Sequence, residues 1–117
     1  TFAPTPQCPP DTTCPLDTPA VTYGPYVQHR LLERLKQTAK ENGMKLSGEH
    51  AERWTGTDAD DVQIARAGIP CVLISLPVKY MHTTVELLDM DTLSECGRLL
   101  ALFLAGIDEK WEDGLWN

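Results

Sequence analysis

One histidine in this chain is set where it could do chemistry: His82, in Val78-Lys79-Tyr80-Met81-His82-Thr83-Thr84-Val85-Glu86. It follows the most apolar run of the sequence, Cys71-Val72-Leu73-Ile74-Ser75-Leu76, so an imidazole is delivered at the mouth of a strand. Imidazole is the commonest side-chain ligand for a metal ion, and His82 reads as a metal ligand of a hydrolase. A second candidate is the turn Thr55-Gly56-Thr57-Asp58-Ala59-Asp60-Asp61. Thr57 or Asp58 can cap a short helix there, with acidic side chains suited to its positive end. The same helix start could instead offer free N–H groups to a carboxylate or carbonyl in a binding crevice. On the residues alone, capping is favoured. His29 and His50 read as solvated or hydrogen-bonded bystanders, with His50 the better candidate of the two.

The elements that must position these residues alternate in type. Residues 1–24 form a Pro-rich loop in which only Thr1-Phe2-Ala3 resembles the tail of a strand, because proline removes donors and holds its predecessor extended. Gly24-Pro25 opens a helix whose apolar stripe is Val27, Leu31, Leu35 and Ala39, widened by Leu32, and Asn42-Gly43 ends it. Residues 44–54 alternate weakly and predict an exposed or edge strand. The short helix after Asp58 runs to Gly68-Ile69-Pro70, and the branched run 71–76 predicts a strand covered on both faces. Asp89 or Asp91 caps a last helix carrying Leu93, Cys96, Leu99, Leu100, Phe103, Leu104 and Ile107. Residues 25–107 are thus helix–strand–helix–strand–helix, and 108–117 form an acidic tail whose Trp111 and Trp116 pack either on the domain or on another chain.

This order predicts an α/β fold with a parallel or mixed sheet and flanking helices, its crossovers right-handed. In parallel sheets ligands gather at the carboxyl ends of strands. The Thr57-Asp58 turn and the His82 segment both leave such ends, so they are expected to share one crevice. A Pro-rich loop as the first segment of a domain suggests that the natural protein begins earlier.

Composition excludes several functions. Ten basic against seventeen acidic residues give a net charge of −7, which speaks against nucleic acid or anionic membrane as partners because phosphate recognition needs basic clusters. No apolar run approaches the roughly 20 residues of a membrane-spanning helix. Of the four cysteines, Cys71 and Cys96 lie in apolar patterns and read as small buried hydrophobes. Cys8 and Cys14 could close a small disulfide or hold nothing, and five intervening residues is wider than usual zinc spacing. Low cysteine use fits a cytoplasmic home.

Taken together, Gly56-Thr57-Asp58-Ala59, Ala67-Gly68-Ile69-Pro70, Ser75 to Thr83, Glu86 and Asp91 resemble, in order and spacing, the carboxyl-terminal part of the M42 (glutamyl aminopeptidase-like) metallo-aminopeptidases. The resemblance spans about Tyr23 to Ile107, and Thr1-Phe2-Ala3 matches a strand just upstream. It implies part of a zinc-peptidase-like (phosphorylase/hydrolase-like) catalytic domain using two divalent metal ions, zinc or alternatively cobalt, and a homo-oligomer acting on peptide substrates. His82 matches the last metal-binding histidine, and Thr57 and Asp58 match the turn lining the substrate cleft. Lys79 replaces the usual arginine, losing a planar donor, and Asp60 stands where glycine is common. The family's His-x-Asp pair, bridging aspartate, adjacent glutamates and last aspartate ligand have no counterpart in this chain, so no catalytic residue is assigned in it.

The resemblance implies a hydrolysis in which metal-bound water is made more acidic and a glutamate moves its proton. His82 would give one imidazole nitrogen, its other nitrogen fixed by Glu86 or a backbone carbonyl. A catalytic zinc takes about three protein ligands, so the isolated chain is expected to be inactive. The alternative is a non-catalytic α/β module, truncated or pseudoenzymatic, with a structural or interaction role; metal content separates the two. A third reading, Thr1 as an amino-terminal nucleophile using its own amine, is disfavoured by the helices.

Overall fold

A computed structural model describes residues 1–8 and 10–111. The sheet is built around β1, Ala20–Tyr23, which lies inside the stretch predicted to be loop. Pro19 is the last proline before Gly24, and the four residues after it include two β-branched side chains that suit a pleated surface. Ala20, Val21 and Thr22 are buried on both faces, so they show no alternation for a sequence pattern to catch.

Three strands follow the order β2-β1-β3. β2 is Ser47–His50 and pairs parallel with β1, from Ala20 opposite Ser47 to Tyr23 opposite His50. Its residues alternate half-buried and exposed, as predicted for an edge strand. β3 is only Ile74–Ser75 and runs antiparallel to β1, with Val21 opposite Ile74. The sheet is therefore mixed. Residues 71–76 are half-buried rather than enclosed on both sides, which corrects the reading of a doubly covered strand.

α1 is His29–Glu41. It starts four residues after Pro25 because Gly24–Val27 forms a turn, closed by Val27 N–H on the Gly24 carbonyl at 3.2 Å. The Gln28 side chain then caps the helix, accepting from Leu31 N–H at 3.0 Å, and Gln28 N–H is tied to the Cys71 carbonyl at 2.9 Å. Asn42 and Gly43, the latter at φ 66°, end the helix as the sequence predicts. Its Leu31, Leu32, Leu35 and Ala39 meet Val21, Leu99 and Phe103 in one core.

α2 is the single turn Ala59–Val62, and α3 is Met90–Ala105. Asp89 caps α3 through Thr92 N–H at 3.1 Å. The apolar stripe of α3 is only partly used: Leu99 and Phe103 are buried, while Met90, Leu93, Leu100 and Leu104 are 65%, 42%, 48% and 54% exposed. More apolar surface is thus present on this helix than the described core covers. All four cysteines are free. Cys14 is buried, and burial pushes its thiol pKa up; Cys71 and Cys96 are only half-buried, also with raised pKa values from burial. No helix among the described residues is long and apolar enough to cross a membrane.

Candidate functional site

His82 sits in a closed loop. Lys79 N–H donates to the Leu87 carbonyl at 2.8 Å and Leu87 N–H returns to Lys79 at 3.2 Å, so residues 79 and 87 form its neck. Ahead of the neck, Val78 N–H donates to the Thr1 carbonyl at 3.1 Å and Val78 accepts from Ala3 N–H at 2.9 Å. The amino-terminal segment is in this way the neighbour that anchors the His82 loop, as the strand character of Thr1-Phe2-Ala3 suggested. Within the loop, Thr83 Oγ1 lies 2.6 Å from the Tyr80 carbonyl and 2.8 Å from that of Val85.

Two residues of the loop, Tyr80 at φ 59° and His82 at φ 64°, are left-handed without being glycine. Each costs roughly 1–2 kcal/mol relative to ordinary backbone, and such positions persist only where surrounding bonds impose them. Here the bond is specific: Glu86 Oε1 accepts from the His82 backbone N–H at 2.7 Å. The carboxylate four residues on therefore holds the backbone of the candidate ligand. The bond runs to the backbone amide, whereas the partner expected of Glu86 or a backbone carbonyl was the imidazole. The His82 side chain itself is exposed.

Asp58 occupies the N-cap position of α2 but makes no side-chain capping bond. Thr57 Oγ1 accepts from Ala59 N–H at 3.3 Å and lies 2.7 Å from Thr55 Oγ1. The residue that organises the turn is Asp60. Its Oδ1 accepts from Thr55 N–H at 3.0 Å and Thr55 Oγ1 at 2.7 Å, and its Oδ2 from Gly56 N–H at 2.9 Å. Burial acts to raise the Asp60 pKa, but hydrogen bonds from the Thr55 side chain and the amides of residues 55 to 57 outweigh it and hold the carboxyl below its usual range. With Asp60 as the internal anchor, the side chains of Thr57 and Asp58 stay exposed at the surface of the turn.

A residue that sequence reasoning missed is Glu49. From β2 its Oε2 takes the hydroxyl of Thr1, of Thr22 on β1 at 3.4 Å and of Ser75 on β3 at 3.5 Å. One carboxylate therefore joins all three strands to the segment that anchors the His82 loop. The signal was present in the alternation of 47–50, which turns Glu49 inward; without β1 it had no visible partner.

The strand-end argument for a shared crevice does not hold, because β2 and β3 run in opposite senses across β1 and their carboxyl ends lie at opposite ends of the sheet. His50 stacks on Tyr23 with ring centroids 5.3 Å apart, and His29 begins α1, exposed. Among the described residues no three His, Cys, Asp or Glu side chains are grouped so as to hold a metal ion. The described residues therefore do not by themselves assemble a metal site.

A mixed sheet flanked by α1 and α3 is an α/β architecture, and solved aminopeptidases share it. The chain matches the M42 glutamyl aminopeptidase family over residues 17–99, and it belongs to that family. It is 38% identical over 71 residues to a lysyl aminopeptidase of Pyrococcus furiosus, covering 61% of this chain and 20% of that protein. Its fold superposes on a TET aminopeptidase from a marine sediment archaeon of the Thaumarchaeota with a TM-score of 0.84 and 26% identity, covering 97% of this chain and 33% of that one. It superposes equally on an aminopeptidase from Desulfurococcus kamchatkensis, with a TM-score of 0.88, 20% identity, and coverage of 100% and 35%; that likeness speaks for the fold alone. The chain spans about a fifth to a third of the length of these relatives.

Proposed function

We propose that this chain is the portion of a metal-dependent aminopeptidase that supplies one metal-binding imidazole, His82, and one wall of the substrate cleft, Thr57 and Asp58. The observation that carries the reading is the His82 loop: a family-matching histidine held at φ 64° by a carboxylate bond to its own amide. Strain retained at an exposed residue fits a functional demand on where its side chain sits. Divalent ions at such a site, zinc or cobalt, would supply Lewis acidity. What this chain does toward it is present one imidazole and the polar turn above Asp60 to the peptide. The remaining donors belong to parts of the relatives that this chain does not match. The intact assembly would be a soluble, cytoplasmic homo-oligomer cleaving single residues from peptide amino termini.

The test is a hybrid polypeptide in which this chain replaces the matching third of the Thaumarchaeota TET aminopeptidase. Metal-loaded hybrid should release amino-terminal residues, and His82→Ala should lower bound metal and turnover together. The isolated chain, loaded with zinc or cobalt, should show neither stoichiometric metal nor turnover. Full activity of the His82→Ala hybrid would overturn the assignment. A hybrid that folds without binding metal would favour a non-catalytic module.

A further inference from the structure

Glu49 turns inward from β2 and is half-buried, where a carboxylate needs donors to offset its loss of water. Its donors are hydroxyls. Those of Thr1, Thr22 and Ser75 all converge on Glu49 Oε2, and among the described residues no cationic group pairs with it. The three bonds are unequal. Thr22 and Ser75 stand at 3.4 and 3.5 Å, long for O–H···O, while Thr1 makes the closest contact. A short hydroxyl bond to an ionised acceptor is about twice as strong as a neutral one. The hold of Glu49 is therefore firmest on Thr1.

Thr1 matters because of what hangs from it. Its carbonyl accepts from Val78 N–H at 3.1 Å, and Ala3 N–H donates to the Val78 carbonyl at 2.9 Å, a parallel bridge that sets Phe2 opposite Val78. The neck of the His82 loop begins one residue later, at Lys79. A bridge of two bonds is slight, and the Phe2 side chain, 46% exposed, adds little packing to it. The later part of the segment has anchors of its own: Ala3 is buried, and the Phe2 carbonyl accepts from Cys14 N–H at 2.9 Å. At Thr1 the side-chain anchor is Glu49.

We propose that Glu49 is a positioning residue for His82, acting through Thr1 and Val78. The carboxylate fixes Thr1, Thr1 holds Val78, and Val78 sets where the neck of the loop leaves the sheet. Glu86 shapes the loop from within; Glu49 sets where the whole loop stands relative to β1 and β3, whose Thr22 and Ser75 share the same oxygen. The inference rests on the reading of His82 as a metal ligand and adds to it a residue of the edge strand.

The test has two arms. In the metal-free 117-residue chain with ring-labelled histidine, Glu49→Ala should shift the His82 resonance and speed exchange of the Val78 amide several-fold, with α1 amides still protected. Thr1→Val removes only the donor and should give the same shift, and the double variant should add little to either. Should Glu49→Ala unfold, Thr1→Val decides alone. Glu52→Gln neutralises a second carboxylate of the hollow that Glu49 lines and should leave both readings unchanged; an equal shift there would make the effect one of lost charge and overturn the proposal. A carboxylate that only knits the sheet would lower the urea midpoint of Glu49→Ala without moving the His82 ring, and that result overturns it too.

The second arm uses the hybrid loaded with cobalt, whose visible bands report ligand geometry. Glu49→Ala should displace those bands and weaken binding about tenfold. Glu49→Gln keeps an acceptor oxygen at the same reach and should recover most of the loss. If His82→Ala leaves bound metal unchanged, the ligand reading fails and the first arm still decides the linkage. If His82→Ala lowers bound metal and Glu49→Ala does not, the positioning role fails.

Discussion

Glu86 bonds the backbone of His82, its Oε1 2.7 Å from the amide nitrogen, inside a loop closed at the Lys79–Leu87 neck, so this bond helps to hold the backbone from which the imidazole projects. A left-handed histidine is stable here only while the acceptor remains, since the conformation itself is unfavourable.

Glu86→Ala should therefore release the loop. In the isolated chain, hydrogen exchange at the His82 amide should quicken, because its acceptor is gone. In the metal-loaded hybrid, affinity should fall by about 10–100-fold, the usual cost of losing a group that orients a ligand from behind. Competition with a chelator measures it. Unaltered affinity would mean that Glu86 shapes the loop without positioning the ligand.

Asp60 makes a pH prediction. Its folded pKa is depressed, burial opposing and the Thr55, Gly56 and Thr57 hydrogen bonds prevailing. A depressed carboxyl contributes stability above its unfolded pKa of about 3.9, and the contribution is lost as pH falls through the lower folded value. Protection of the Gly56 amide should hold from neutrality into mild acid and decline at the acid end. Asp60→Asn should lower protection at neutral pH and remove this acid-dependent step. A pH profile identical to that of the parent chain would exclude Asp60 as its source.

Much of the architecture is written in local pattern, and the exceptions have physical causes. α1 is plain from Leu31, Leu35 and Ala39, and its end from Asn42-Gly43; its start is displaced because Gln28, not Pro25, satisfies the free N–H groups of the first turn. β1 was hidden because a four-residue strand buried on both faces carries neither alternation nor length. The sense of β3 is set by its pairing with Val21 and Ala20, a long-range relation that a strand-like run cannot encode. For the site, the His82 segment was legible from its neighbours in sequence. The role of Glu86 was not, since spacing places a carboxylate near a histidine but does not say whether ring or backbone receives it. Asp60 was visible as a departure from the family, yet only its bonds to Thr55 and Gly56 show that it organises the turn.

Gly24 and Gly97 should respond oppositely to alanine. A Cβ at Gly24 would stand 2.7 Å from the Ala51 carbonyl oxygen, and Ala51 cannot retreat cheaply because its N–H is held by the Tyr23 carbonyl at 2.8 Å. Gly24→Ala should cost about 1–3 kcal/mol through forced backbone shifts. At Gly97, inside α3, nothing among the described residues lies within 4 Å of the added carbon, so Gly97→Ala should gain roughly 0.5–1 kcal/mol from reduced chain entropy. Urea unfolding of the two variants beside the parent chain reads both signs. A loss at Gly97 would show that α3 approaches another surface there.

Thr92 couples α3 to the first segment of the chain. It is 1% exposed, and its Oγ1 lies 2.7 Å from Asp89 Oδ2 and 3.0 Å from the Leu16 carbonyl. Valine would keep the shape and remove the hydroxyl, leaving the half-buried Leu16 carbonyl without this donor. Thr92→Val should cost about 1–3 kcal/mol, the penalty of an unsatisfied buried group, whereas Thr92→Ser, which keeps the hydroxyl and loses a methyl, should cost less. The loss should also be local: with Leu16 released, limited proteolysis of Thr92→Val should cut between Cys14 and Pro19 before it cuts α1. Simultaneous cutting of both would mean that the first segment unfolds only together with the core, and that Thr92 stabilises the whole domain and not this one junction.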